Sequence, residues 1–289
     1  YNTLSWWNAG IDITVGSNNV AVGDASLFTN TEGSRSVAIG SNALLTQNYS
    51  GATNALNTAV GYSAGQRVTT GVQNTIVGAL AGDHLTNASF NVAVGINALT
   101  ADTLGSSSTA LGDNALAAQN FTTATHSYNV AVGISAGKLL TTGTNNTLIG
   151  GLAGDSITDG IDNTVVGSEA LSTNQRGTRS VAVGREALKV QNPSGAVEMF
   201  NVAVGYRSGF AVTTGVNNTF IGGLAGQTGP STASESTFVG HQAGLGGSTR
   251  LTGASNTAIG QNAGLRLEGA ANSNTFLGRE AGSNVTTGD

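Results

Sequence analysis

NTAVGYSAG, residues 57–65, is the stretch whose reading decides this chain's fold. Its first five residues follow a pattern that recurs fifteen times, from Asn19–Gly23 to Asn274–Gly278, with Asn91–Gly95, Asn146–Gly150 and Asn218–Gly222 among the examples. The closing glycines stand 17 to 21 residues apart, and the longest spacings start at Gly40, Gly112 and Gly184, which are 72 residues from one to the next. The chain is therefore built from blocks of four units. Such self-similarity points to a stacked repeat architecture before any single residue is interpreted.

Each position in the unit accepts few residue types. The residue four before the glycine is Asn eleven times and Ser four times, and the residue directly before it is always Val, Ile or Leu. Three before it stands Thr or Val; three after it stands Ala thirteen times and Ser twice; four after it only Leu or Gly occurs. A β-branched run bounded by glycine reads as a short strand. The unit is too short for a propeller blade and lacks the long amphipathic run of a helical repeat. The expected fold is all-β: a β-solenoid, or β-roll, of about fifteen stacked turns of 17–21 residues. At a strand spacing of roughly 4.8 Å per turn the stack would rise roughly 70 Å.

Stacking explains the restricted positions. Gly40, Gly61, Gly78, Gly95, Gly112, Gly133, Gly150, Gly167, Gly184, Gly205 and Gly222 are expected at corners, where a side chain would hinder the backbone. Asn57, Asn74, Asn91, Asn129, Asn146, Asn163, Asn201, Asn218, Asn256 and Asn274 are expected to stack as a ladder of amides, each satisfying the next. Side chains alternate along a strand. Residues one and three before the glycine, such as Val204 and Ile221, are assigned to the interior of the turn, and those two before it, such as Ala203 and Phe220, to the opposite face. That second apolar face needs a cover, supplied by further copies of the chain around a symmetry axis or by the return segment of a wide solenoid. A parallel homo-oligomer is the expectation.

Residues 1–18 read as a lead-in or cap, with Trp6 and Trp7 covering an exposed solenoid end, and residues 19–289 as the repeat domain of a longer fibre. The 43 glycines are periodic, so they do not make a flexible linker, and only 9% of residues are charged. With a net charge of −5 and no basic patch, nucleic acid is not an expected partner. No apolar run approaches membrane-spanning length. The absence of cysteine is compatible with intracellular assembly of a virion part and with secretion.

The same pattern, N-[TV]-[AFIL]-[VI]-G-x-x-A, resembles two related groups of proteins. Ser36–Gly40 (SVAIG) and Asn256–Gly260 (NTAIG) are similar to the YadA-like head repeat of trimeric autotransporter adhesins. NTAVGYSAG (57–65), VTTGVNNTFIGGLAG (212–226) and SNTFLGREAG (273–282) resemble the repeat region of phage and virus-like tail fibres. The resemblance covers roughly residues 19–289 and implies a parallel homotrimer with an attachment role, on a virion tail fibre or at the cell surface. The turns here are longer than those of the adhesin head, which favours the tail-fibre comparison. Its partners would be itself, neighbouring fibre domains, and a host-surface glycan or protein.

Catalytic, metal and cofactor residues are not expected. His84, His126 and His241 occupy unrelated places in the unit and no cysteine assists them. Asp155, Asp159 and Asp162 fall in one loop and read as solvated rather than as a cation site. A carbohydrate-active enzyme would need converging carboxylates, and an ice-binding face would need a continuous rank of threonines, whereas Thr alternates irregularly with Val. The best candidates for specific contact are the insertions in the long units, at 46–56, 118–128 and 190–200, with Tyr49, Phe121, Tyr128, Met199 and Phe200. Loops on a rigid scaffold often carry binding; these same residues would alternatively fold over the solenoid edge. The leading expectation is a rigid fibre spacer, with a surface adhesin as the alternative and an enzyme on a β-helix as the weaker one.

Overall fold

The computed structural model describes residues 1–229 and 231–286; residues 287–289 of the expected repeat domain lie outside them. Among the described residues there is no helix, and the fold is a parallel β-solenoid of about sixteen turns. It divides into two compact units, Tyr1–Asn145 and Asn146–Asp289. Each unit contains eight principal strands of three residues. In the first, Thr58–Val60 lies between Val37–Ile39 and Thr75–Val77, with Ala59 opposite Ala38 and Ile76. In the second, Val202–Val204 lies between Val181–Val183 and Thr219–Ile221, with Ala203 opposite Ala182 and Phe220. The long units add parallel two-residue strands, Gly33–Ser34 with Thr53–Asn54, Gly105–Ser106 with Thr125–His126, and Gly177–Thr178 with Val197–Glu198.

The expected lead-in is itself a turn. Thr3–Ser5 pairs with Val20–Val22, and Asn2 Oδ1 accepts the Asn19 N–H at 2.9 Å as a ladder residue would. Trp6 stands where the corner glycine belongs, at φ +103°. Its presence hides the five-residue pattern, although Asn2, Ala9 and Gly10 keep their places.

The corners depend on conformations that most residues avoid. The corner glycines adopt φ between +119° and +141°. A Cβ on Gly61 would stand 2.5 Å from the Gly78 carbonyl oxygen of the next turn, far inside van der Waals contact. Left-handed backbone also occurs two and four residues after the glycine, and at the residue before the ladder position. Leu44 and Leu116 occupy the second of these sites at φ +49° and +50°. Left-handed geometry disfavours leucine, but both side chains are fully buried, and that burial offsets the strain.

The interior is narrow and filled at three places in each turn. Two residues before the glycine, from Ala21 to Ala258, stands a fully buried side chain, small in Ala59 and large in Phe220. The next place is four residues after the glycine and the third is seven after it. Where the first is Ala and the second Leu, as with Ala38 and Leu44, the third is polar, here Gln47. Where the second is Gly, as at Gly65 and Gly82, the third is aliphatic, Val68 and Leu85, both fully buried. Where the first is Phe220 or Phe238, the other two are glycines: Gly226 and Gly229, or Gly244 and Gly247. A Cβ on Gly226 would meet the Phe220 ring at 2.7 Å. A large side chain at one place is thus partly offset by small ones at the others, as close packing favours.

The asparagine ladder links side chain to backbone more than amide to amide. Asn57 Oδ1 accepts the Asn74 N–H at 2.9 Å, and Asn74 Oδ1 accepts the Asn91 N–H at 3.0 Å, each 17 residues on. The amide nitrogens donate to carbonyls 14 residues on, Asn57 to Gly71 at 2.8 Å and Asn74 to Ala88 at 2.9 Å. Direct amide contacts also occur, as between Asn74 and Asn57 at 3.2 Å and between Asn163 and Asn146 at 3.1 Å. These groups are buried, so each bond prevents an unsatisfied polar group in the interior.

Candidate functional site

The outward face of the strands reverses the sequence assignment. Val204 and Ile221, expected inside, are 37% and 41% exposed, while Phe220, expected to face another copy, is fully buried against Phe238 with ring centroids 5.7 Å apart. The reason lies at the ladder position: the buried asparagine points inward, and alternation then directs the residue two before the glycine inward as well. Residues one and three before it must point out. In the first unit Ile39, Val77 and Leu111 are exposed, with Tyr62, Ile96 and Ile134 beyond the corner glycine. In the second the exposed rows contain Ile149, Val204, Ile221 and Ile259, with Tyr206 beside them. These exposed aliphatics recur from turn to turn rather than standing singly.

The insertion residues divide into two groups. Tyr49, Phe121 and Met199 are interior side chains, at 7%, 6% and 0% exposure, and so are not contact residues. They cover equivalent glycines: a Cβ at Gly33 would strike the Tyr49 ring, one at Gly105 the Phe121 ring, and one at Gly177 the Met199 side chain. In the third block Pro193 replaces the aromatic, and Met199, which corresponds to Ala55 and Ser127, fills the space instead. The Tyr49 hydroxyl donates to the Gly71 carbonyl at 2.6 Å and accepts from Asn57 Nδ2 at 3.3 Å. Burial pushes this phenol's pKa well above its ordinary value. Tyr128 and Phe200 remain exposed, the latter beneath the Arg179 guanidinium at 5.6 Å.

A polar seam runs through the interior of each long unit. Serine replaces the ladder asparagine at Ser36, Ser108 and Ser180, and a glutamine eleven residues later fills the gap. Gln47 Nε2 donates to Ser36 Oγ at 3.1 Å, and Gln47 Oε1 accepts from Asn57 Nδ2 at 2.8 Å. Gln119 accepts from Asn129 and Gln191 from Asn201, both at 2.9 Å. Beside these lie Asn30 and Asn174, whose amides donate to Gly33 and Gly177 carbonyls at 2.8 and 2.9 Å. The middle block has Asp102 at this place. It accepts from Gln119 Nε2 at 2.6 Å and from the Gly105 N–H at 2.9 Å, but burial still raises its carboxyl pKa.

Because the folded-state pKa of Asp102 lies above the unfolded value, this group favours folding below the ordinary carboxylate range. That contribution is lost as pH rises from there through the folded value. Asp102→Asn should therefore raise stability at pH 7 by about 1–3 kcal/mol, with the gain vanishing below the ordinary carboxylate range. Denaturant melts of both proteins across that pH range check this, and a pH-independent difference would contradict it.

The remaining polar chemistry is structural in form. Glu186 is nearly buried between Arg207 and Lys189, and Lys189 also pairs with Glu169. The Arg207 hydrogen bond holds the Glu186 carboxyl below its usual range. Asp159 faces Arg176 and Asp162 faces Arg179, at 3.8 and 3.5 Å. Among the described residues no cluster of three or more His, Asp or Glu side chains is placed to hold a metal ion. Among the described residues no helix is long and apolar enough to cross a membrane. No protein-family model, curated protein or solved structure matches the chain.

Proposed function

We propose that this chain is a non-enzymatic structural segment of an attachment fibre, of the phage or virus-like tail-fibre kind. It acts on a virion or at a cell exterior as a stiff spacer that supports host-surface binding. Copies associate in parallel, as a homotrimer, through the outward strand face. The supporting observation is the exposed aliphatic rows. From Val20 to Leu277, every residue one or three before a corner glycine is Val, Ile, Leu or Thr, and none is charged. Solvent alone is a poor neighbour for such rows. The rows support a cover by another copy; the number three comes from the resemblance of the repeat to trimeric fibre and adhesin repeats.

Light scattering tests the reading. The native mass should equal three chains. Ile149→Asp combined with Ile221→Asp should keep the monomer folded, since these side chains are 38% and 41% exposed, yet reduce the mass toward one chain. A wild-type mass of one chain would exclude self-association, and an unaltered mass in the double variant would remove this face from the interface.

A further inference from the structure

We infer that the first unit carries a binding track for a neutral, extended β-linked polysaccharide, along the column of residues that directly precede the ladder position. This inference goes beyond the spacer role and does not depend on it. Leu56, Gln73, Phe90, Ser107 and Tyr128 belong to five successive turns and share one backbone state, with φ between +50° and +62°. The chain bends at Gln73, Phe90 and Ser107, and Leu56 and Tyr128 take the same left-handed backbone turn into the strand. The column therefore stands on the edge of the strand face, and its large side chains are exposed, Phe90 at 51% and Tyr128 at 60%.

The order of residues along this edge matches a repeating ligand. Apolar groups occur at every second turn, Leu56, Phe90 and Tyr128, and small or neutral polar groups, Gln73 and Ser107, lie between them. Two turns separate the Phe90 and Tyr128 rings by roughly 9.6 Å along the stack. The pyranose rings of an extended β-linked chain advance by about one strand spacing each. A chain lying along the edge places alternate rings over the two aromatics and the hydroxyls of the intervening ring over Ser107. The platform is preorganised: the His126 ring stacks on Tyr128 at 5.7 Å and 20°, and His126 Nδ1 lies 2.9 Å from Ser107 Oγ. Preorganised groups lose little freedom on binding. None of the five column residues is charged, which selects a neutral sugar over an anionic one.

The test is calorimetric titration of the full chain with cellohexaose, with maltohexaose as the comparison because its α-linkages curl the chain out of step with the turns. Saturable binding of cellohexaose is expected, at least tenfold tighter than that of maltohexaose. Phe90→Asn and Tyr128→Asn should each weaken it about tenfold, the loss of one stacked ring. Asparagine already occupies the same left-handed position at Asn18 and Asn145, so both variants should retain the wild-type melting temperature. No binding of cellohexaose, equal binding of maltohexaose, or wild-type affinity in both folded variants would overturn the inference. The native mass tests the spacer reading separately and is unaffected by any of these results.

Discussion

Gly61→Val is expected to destabilise the first unit by roughly 4 kcal/mol or more, the sum of backbone strain and overpacking. Two effects act together. The φ of +138° is one that a β-branched residue does not adopt, and the new side chain would be driven into the Gly78 carbonyl. Gly78 has little room to yield, because its own backbone stands as close to that of Gly95 in the turn beyond, where a Cβ on Gly78 would lie 2.4 Å from the Gly95 carbonyl oxygen. Gly278 supplies an internal control. Its φ is +119°, but a Cβ there meets nothing within 4 Å. Gly278→Val should therefore carry the strain without the collision and cost markedly less. Denaturant melts with hydrogen exchange locate the damage: protection should fall first in the turns on either side of Gly61. Equal losses in the two variants would mean that strain alone sets the cost.

Phe220→Ala should destabilise the second unit by about 3–5 kcal/mol. The ring is fully buried against Phe238, and the chain has cleared space for it with glycines. A Cβ at Gly209 or Gly226 would fall 2.6 or 2.7 Å from the ring, so the surrounding turns have no side chain that can move into the vacancy. The destabilisation should appear in thermal melts at any protein concentration. An effect on self-association with unchanged monomer stability would place Phe220 on the outer surface, contrary to its burial. Restoring volume nearby, with Gly229→Val beside the alanine, should recover part of the loss, because that combination is used with Ala59, Gly65 and Val68.

The architecture was legible because it follows from period and composition. Seventeen-residue spacing, a glycine at a fixed place and a β-branched run leave little besides a solenoid. The sense of the strand faces is not legible in the same way, because both faces are apolar and hydrophobicity alone does not separate inside from outside. The deciding signal was the ladder residue: a buried Asn57 fixes Ala59 as inward, two positions on. The pairing of Ser36 with Gln47, Ser108 with Gln119 and Ser180 with Gln191 was equally visible in the sequence. It is the reason that serine replaces asparagine in these units, since the glutamine supplies the amide that serine lacks. Tyr49 and Phe121 looked like contact residues because they sit in insertions. Their role depends on Gly33 and Gly105 in the preceding turn, a relation that adjacent sequence does not display. The first turn is hidden in the sequence because Trp6 occupies the corner.

The asparagine ladder also bears on how fast such a chain can fold. Its bonds join residues 17 or 14 positions apart, whether at Asn57 near one end or at Asn163 in the second unit. Sequence separation between partners therefore stays close to one turn, 15 and 18 at Asn218 and Asn256, and does not grow with the number of turns. Parallel sheets ordinarily fold slowly because distant segments must find each other before any contact rewards the search. Here the search is always one turn long. Once a few turns have formed, each further turn closes a loop of the same entropy onto an existing template. Adding a 72-residue block should lengthen the protein without lowering the rate at which any part of it becomes native.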